Sequence, residues 1–62
     1  MEPKFITKIG GGRSVITLSY DDGTSVTQLV ASDGTILQND GPYCSSNAKQ
    51  KHDEMVARNT SL

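Results

Sequence analysis

Residues 13–38 read RSVITLSYDDGTSVTQLVASDGTILQ and contain one turn pattern twice, eleven residues apart. Each copy, YDDGT at 20–24 and ASDGT at 31–35, lies between runs rich in β-branched residues. An Asp-Gly pair in such a place is typical of a type I turn whose glycine takes a positive φ and forms a bulge. The two turns, with Gly23 and Gly34 at these positions, therefore predict three antiparallel strands in a defined register.

The predicted register assigns the side chains of these strands to two faces. Tyr20 pairs with Thr24 and Ala31 pairs with Thr35, and alternate residues then share a face because side chains alternate along a strand. The isoleucine-rich face consists of Ile16, Leu18, Tyr20, Val26, Val30 and Ile36. The threonine-rich face consists of Val15, Leu29 and Leu37 among Thr17, Ser19 and Thr27. The predicted cross-strand pairs are Leu18 with Val26, Ile16 with Gln28, Val15 with Leu29, Val30 with Ile36, and Leu29 with Leu37.

An alternating segment at 4–9, KFITKI, predicts a further half-buried strand ahead of three glycines. A two-residue turn through Gly10 and Gly11 would place Phe5 on the isoleucine-rich face and Ile6 on the threonine-rich face. A three-residue turn that includes Gly12 would reverse the two, so the register of this hairpin is open. We favour the two-residue turn because it directs Phe5, rather than two lysines, to the face that we expect to be buried.

The remaining segments predict a short fourth strand and one helix. The strand covers 35–38, and a linker at 39–46 follows, whose Asp-Gly-Pro sequence is a strong breaker. Asn47 followed by Gln50 is typical of a helix cap with a return bond, so the helix begins at 48 and ends at about 58. The fold class is thus α+β, a four-stranded antiparallel meander followed by one C-terminal helix (ββββα), in a single domain over 1–62. The apolar stripe of the helix is Ala48, His52, Met55 and Val56.

So short a helix is marginal alone and needs to pack on the sheet. We expect it on the isoleucine-rich face, which carries the most apolar residues. One helix cannot cover both faces, and a contiguous apolar patch on a monomer usually marks an interface. A chain of 62 residues with one cysteine has no internal disulfide to support its small core, which also favours self-association. The expected interface residues are Ile6, Val15, Leu29 and Leu37.

The composition of the chain disfavours several classes of function. The net charge is −1, which disfavours a sequence-independent DNA binder. A basic cluster of Lys4, Lys8 and Arg13 keeps a nucleic-acid-binding sheet as an alternative. Cys44 and His52 do not complete a catalytic or metal-binding set, so we expect no enzyme activity, no metal and no cofactor. No apolar run suits a signal peptide or a membrane span, and a lone cysteine favours the cytosol.

These observations indicate a small, non-enzymatic, cytoplasmic interaction module. We expect it to bind itself, as a homo-oligomer, and an unidentified protein, as an accessory or inhibitor protein of a phage or mobile element would. One alternative is a nucleic-acid-binding or transcription-control module built on the sheet. Another is a small-ligand-binding oligomer with sites at its chain interfaces.

Overall fold

The structure, a computed structural model, describes residues 2–60. Its strands are β1 (Glu2–Lys8), β2 (Ser14–Ser19), β3 (Thr24–Val30) and β4 (Ile36–Cys44), and its helix is α1 (Ala48–Thr60). The four strands form one antiparallel sheet in the order β1-β2-β3-β4. The predicted α+β class and ββββα arrangement are confirmed.

Both repeated turns have the predicted geometry. The amide of Tyr20 donates to the carbonyl of Thr24 at 2.8 Å, and the amide of Gly23 donates back to Tyr20 at 3.2 Å. The same two bonds recur in the second turn, and φ is 86° at Gly23 and 91° at Gly34. Because these turns form as expected, β2 and β3 pair in the predicted register, with Val15 opposite Leu29 and Leu18 opposite Val26.

The first hairpin has the three-residue turn, so the preferred two-residue turn was wrong. The amide of Ile9 donates to the carbonyl of Arg13 at 2.9 Å, and residues Gly10–Gly12 form a short 3-10 turn between them. Ile6 therefore lies opposite Ile16 on the isoleucine-rich face, not on the threonine-rich face. Phe5 lies on the side of the threonine-rich face, opposite Thr17.

The third glycine makes the longer turn accessible. φ is 76° at Gly11 and 75° at Gly12, a conformation that other residues adopt at a cost. The Arg13 Nε donates to the Gly10 carbonyl at 2.9 Å and closes the loop.

The fourth strand is longer than predicted and passes through the expected breaker. The Gly41–Pro42 peptide bond is cis, and an irregularity in the pairing accommodates this segment. A side chain at position 41 would meet the Ser25 carbonyl at 2.9 Å, so glycine fits there. A second irregularity lies at Leu37, because Leu29 pairs with Gln38 instead. The predicted Leu29–Leu37 pair was therefore wrong.

The helix packs on the threonine-rich face, so the predicted docking on the isoleucine-rich face was wrong. Met55 is buried against Val15 and Leu29, with Ile9 and Val56 packed around them. The prediction that Met55 points inward is confirmed. Val15 and Leu29 were expected at an interface, but they form the core of their own chain.

Hydrogen bonding explains this choice of face. His52 of α1 is 3% exposed, and its Nδ1 and Nε2 share hydrogen bonds of 2.8 Å with the hydroxyls of Thr17 and Thr7. The Thr17 hydroxyl bonds in turn to that of Thr27 at 2.9 Å, and Thr27 bonds to the Tyr43 hydroxyl. A buried histidine without hydrogen-bond partners would cost about 1–3 kcal/mol, and the threonine hydroxyls of this face supply a partner to each ring nitrogen of His52.

The ends of α1 differ slightly from the prediction. A 3-10 turn, Ser45–Asn47, leads into the helix, and the Gln50 amide donates forward to Glu54 at 3.2 Å instead of returning to Asn47. At the C-terminal end the Arg13 guanidinium donates to the Asn59 carbonyl at 3.2 Å. A cation at this end of a helix interacts favourably with the helix dipole.

Candidate protein-binding face

The isoleucine-rich face is the side of the sheet that α1 does not cover. Ile6 joins this face through its pairing with Ile16, so every strand contributes an apolar residue. The apolar residues of its central and edge strands are Ile6, Ile16, Leu18, Val26, Val30 and Ile36.

These six side chains lie in neighbouring rows of the sheet, and the polar Gln28 lies opposite Ile16 in the middle row. Directly opposed pairs are Leu18 with Val26 and Val30 with Ile36, and side chains opposed in this way lie close enough to touch. Exposure rises outward, since the central residues are buried or half-buried while Ile6 and Ile36 at the edges are 57% and 53% exposed. Large apolar side chains exposed on a sheet face are a common feature of surfaces that bind another protein.

Charged residues flank the apolar surface unevenly along the strands. Lys8 follows Ile6 on the same side of β1, at the end of the sheet that also carries the three-glycine turn. Asp21 and Asp22 lie at the opposite end, in the turn between β2 and β3. The face thus has a basic residue at one end and two carboxylates at the other.

The residues of the nucleic-acid alternative do not form one surface. Lys4 falls at an irregularity of β1, with its Nζ 6.0 Å from the centre of the Phe5 ring. Lys8 borders the isoleucine-rich face. Arg13 turns toward the helix side, where its guanidinium is engaged with Gly10 and Asn59.

Cys44 and His52 have reactive side chains, and their hydrogen-bond partners are different residues. Cys44 is exposed, and a hydrogen bond of 3.1 Å with the Ser46 hydroxyl lowers the pKa of its thiol. Burial lowers the pKa of His52, so its ring is neutral at pH 7, and both ring nitrogens are occupied by threonine hydroxyls. Neither ring nitrogen is free to act as a base toward the thiol. Within residues 2–60 no group of three or more His, Cys, Asp or Glu side chains could hold a metal ion.

Of the four residues predicted to form the interface, only Ile6 lies on the open face. Val15 and Leu29 are covered by α1, and Leu37 is half-exposed at an irregularity of β4. The polar residue in the apolar stripe of the helix could have indicated which face the helix covers. His52 needs polar partners when buried, and the register had already placed Thr17 and Thr27 on one face.

Known proteins give no guide to the occupant of this face. No protein-family model matches the chain, and no curated protein or solved structure reaches the similarity required for a match.

The helix of the described region also lacks the features of a membrane span. No helix within residues 2–60 is long and apolar enough to cross a bilayer.

Proposed function

We propose that this protein is a small, non-enzymatic interaction module that docks another protein on its isoleucine-rich face. The observation that carries the proposal is the open apolar surface made by all four strands. An antiparallel sheet with one face packed on a core normally presents polar side chains on the other. Here the open face is the more apolar of the two, which a solvated surface does not require.

Burial of the exposed edge residues supplies the affinity. Ile6 and Ile36 each expose about half of their surface, and removing that area from water is worth roughly 1 kcal/mol apiece. The central side chains are already buried or half-buried in the sheet. Little side-chain entropy is therefore lost when a partner covers them.

The contacts of the reactive residues support a non-enzymatic role. The His52 ring is committed to the internal hydrogen-bond network, and the Cys44 thiol contacts a serine rather than a base. We propose the cytosol as the compartment, because the only cysteine is unpaired. An accessory function, as in phages or mobile elements, remains part of the proposal.

The test compares two variants that each add one negative charge, on opposite sides of the molecule. Ile36→Asp places the charge on the isoleucine-rich face, and Asn47→Asp places it on the exposed 3-10 turn before α1. The wild type and each variant are immobilised and exposed to a lysate of cells that express the protein. We expect the wild type and Asn47→Asp to retain the same proteins, and Ile36→Asp to lose them.

A melting curve of each variant is the control for folding. Ile36 is 53% exposed, so Ile36→Asp should melt close to the wild type at concentrations where the chain is monomeric. If folded Ile36→Asp retains the same proteins as the wild type, the isoleucine-rich face is not the docking surface.

A further inference from the structure

We propose that the hydrogen-bonded row beneath α1 has one polarity, set by the Tyr43 hydroxyl, and that protonation of His52 reverses it. The row crosses the whole sheet, because its members come from all four strands and the helix. In order they are Thr7, His52, Thr17, Thr27 and Tyr43. Its reversal relays the protonation state of a buried ring to the hydroxyl of an edge strand. The inference does not depend on what docks on the isoleucine-rich face.

The number of hydroxyl protons restricts the row to two polarities. Thr17 is buried, and its hydroxyl bonds to His52 Nδ1 and to Thr27. A threonine hydroxyl has one proton, so Thr17 donates to one neighbour and accepts from the other. The same holds for Thr27, which is buried between Thr17 and Tyr43. Each bond therefore fixes the direction of the next: either Tyr43 donates and Nδ1 accepts, or Nδ1 donates and Tyr43 accepts.

The Tyr43 end decides between these polarities. A neutral imidazole donates through one nitrogen and accepts through the other, so His52 makes one bond of each kind with threonine in either polarity. The bond between Thr27 and Tyr43 joins two different kinds of hydroxyl. A phenol is a better donor and a poorer acceptor than an aliphatic alcohol, because its oxygen lone pair is delocalised into the ring. Tyr43 therefore donates at neutral pH, Nδ1 accepts, and the ring proton lies on Nε2, which donates to Thr7.

Protonation of His52 is incompatible with this polarity. An imidazolium has a proton on both nitrogens and accepts no hydrogen bond, so Nδ1 becomes a donor to Thr17. Thr17 then donates to Thr27, and Thr27 donates to the Tyr43 oxygen. All three bonds reverse while their partners stay the same. The Tyr43 proton, which is used within the sheet at neutral pH, becomes available to solvent or a partner at the half-buried edge of β4.

The charged residues around His52 lie on α1 and β1. On α1, Asp53 attracts an imidazolium and Lys49 repels it. On β1, Lys4 lies over the Phe5 ring, whose centroid is 5.6 Å from that of the His52 ring. The strands β2 and β3 and the 3-10 turn before α1 carry no charged residue. These charges influence the pH at which the row reverses, but the bonds to both ring nitrogens come from threonine hydroxyls.

The tautomer of His52 tests the polarity. The nitrogen-15 chemical shifts of a labelled wild-type protein identify the protonated ring nitrogen. At about pH 7.5 we expect the proton on Nε2, since Nδ1 accepts from Thr17. A proton on Nδ1 would overturn the proposed polarity.

The Tyr43 ring carbon that bears the hydroxyl, Cζ, tests the relay in the same sample. Its carbon-13 chemical shift should change between about pH 7.5 and 5 with the midpoint of His52, because the hydroxyl turns from donor to acceptor. Tyr20, the other tyrosine, lies outside the row and should not follow that midpoint. His52→Gln should abolish the change at Tyr43. A Tyr43 signal that is independent of His52 would overturn the relay.

Two matched variants locate the end of the row. Tyr43→Phe removes the acceptor that Thr27 needs after the reversal, so the pKa of His52 should fall below that of the wild type. The ring proton should stay on Nε2, because Thr27 can still donate to Thr17. Tyr20→Phe also removes one phenolic hydroxyl and should change neither property. An unchanged His52 pKa in folded Tyr43→Phe would contradict the relay, and if Tyr43→Phe does not fold, the wild-type titration decides.

Discussion

The two faces of one four-stranded sheet show what determines where a helix packs. The isoleucine-rich face has more apolar residues, yet it is open. The threonine-rich face combines two large apolar residues, Val15 and Leu29, with a row of hydroxyls, and α1 covers it. A count of apolar residues therefore does not identify the covered face.

The difference arises because α1 carries a polar residue on its packing side. His52 lies one turn from Met55, so both are buried together. The threonine-rich face has hydroxyls at positions that satisfy His52 while Met55 meets apolar partners. Within residues 2–60, no buried side-chain nitrogen or oxygen lacks a hydrogen-bond partner.

The largest expected effect comes from removing the apolar contact between α1 and the threonine-rich face. Met55→Ala should lower the free energy of unfolding by about 2–5 kcal/mol, because it leaves a cavity against Val15 and Leu29. The matched change on the open face, Ile36→Ala, should cost less than about 1 kcal/mol in the monomer, since Ile36 is already half-exposed. Urea unfolding at low protein concentration measures both. Equal losses in the two variants would contradict the assignment of a covered and an open face.

The second effect tests the hydrogen-bond network that selects this face. Thr17→Val keeps the shape of the side chain but removes the hydroxyl that His52 and Thr27 share. We expect a loss of about 1–3 kcal/mol, the cost of leaving buried polar groups unpaired. Thr17→Ser keeps the hydroxyl and should be less harmful than Thr17→Val. The reverse order would mean that the methyl group, not the hydroxyl, matters at position 17.

The parts of the fold that depend on local chemistry could be predicted from the sequence. The Asp-Gly turns have conformations dictated by a few neighbouring residues, so Gly23, Gly34 and the β2–β3 register came out correctly. The three-glycine turn could not be resolved in this way, because glycine permits both turn lengths. Its length is set by the closing bond from Arg13 and the packing of Phe5 on the helix side.

The parts that depend on long-range contacts could not be predicted by counting residues. β4 continues past Pro42, and the Tyr43 hydroxyl reaches Thr27 across the sheet. The choice of covered face depends on hydrogen bonds from His52 to Thr17 and Thr7, which are 35 and 45 residues away in sequence. Two of the predicted interface residues, Val15 and Leu29, consequently lie under α1, while the opposite face of the sheet is the open one.

A smaller effect concerns the turns that define both faces. Gly34→Ala and Gly23→Ala should each cost about 1–2 kcal/mol, because alanine is strained at φ near 90°. Open space surrounds both glycines, so the cost would come from the backbone alone. Gly10→Ala is the control, since Gly10 also faces open space but has no positive φ. Thermal unfolding of the three variants compares them, and a Gly10→Ala loss as large as the others would contradict the backbone explanation.

The last comparison between the faces is their response to acid, because His52, the buried titratable residue within residues 2–60, lies on the covered face. Burial lowers the pKa of His52 below its ordinary value of about 6.5, outweighing the attraction of Asp53, while Lys49 acts in the same direction as burial. The folded state therefore binds fewer protons than the unfolded state below that pH. Stability should be constant above about pH 6.5 and should fall as the pH drops below it.

The midpoints of urea unfolding between pH 7.5 and 5 isolate the effect of His52. Hydrogen bonds with Thr24 and Thr35 lower the pKa values of Asp22 and Asp33, so these carboxylates titrate at lower pH. His52→Gln removes the titrating ring but keeps an amide that can bond to threonine hydroxyls. We expect the wild type to lose stability over this range while His52→Gln stays nearly constant. Ile36→Asp should follow the wild type, since His52 lies under α1 and not on the isoleucine-rich face. Parallel curves for the wild type and His52→Gln would show that His52 titrates in the folded protein as it does in the unfolded chain, contrary to its burial under α1.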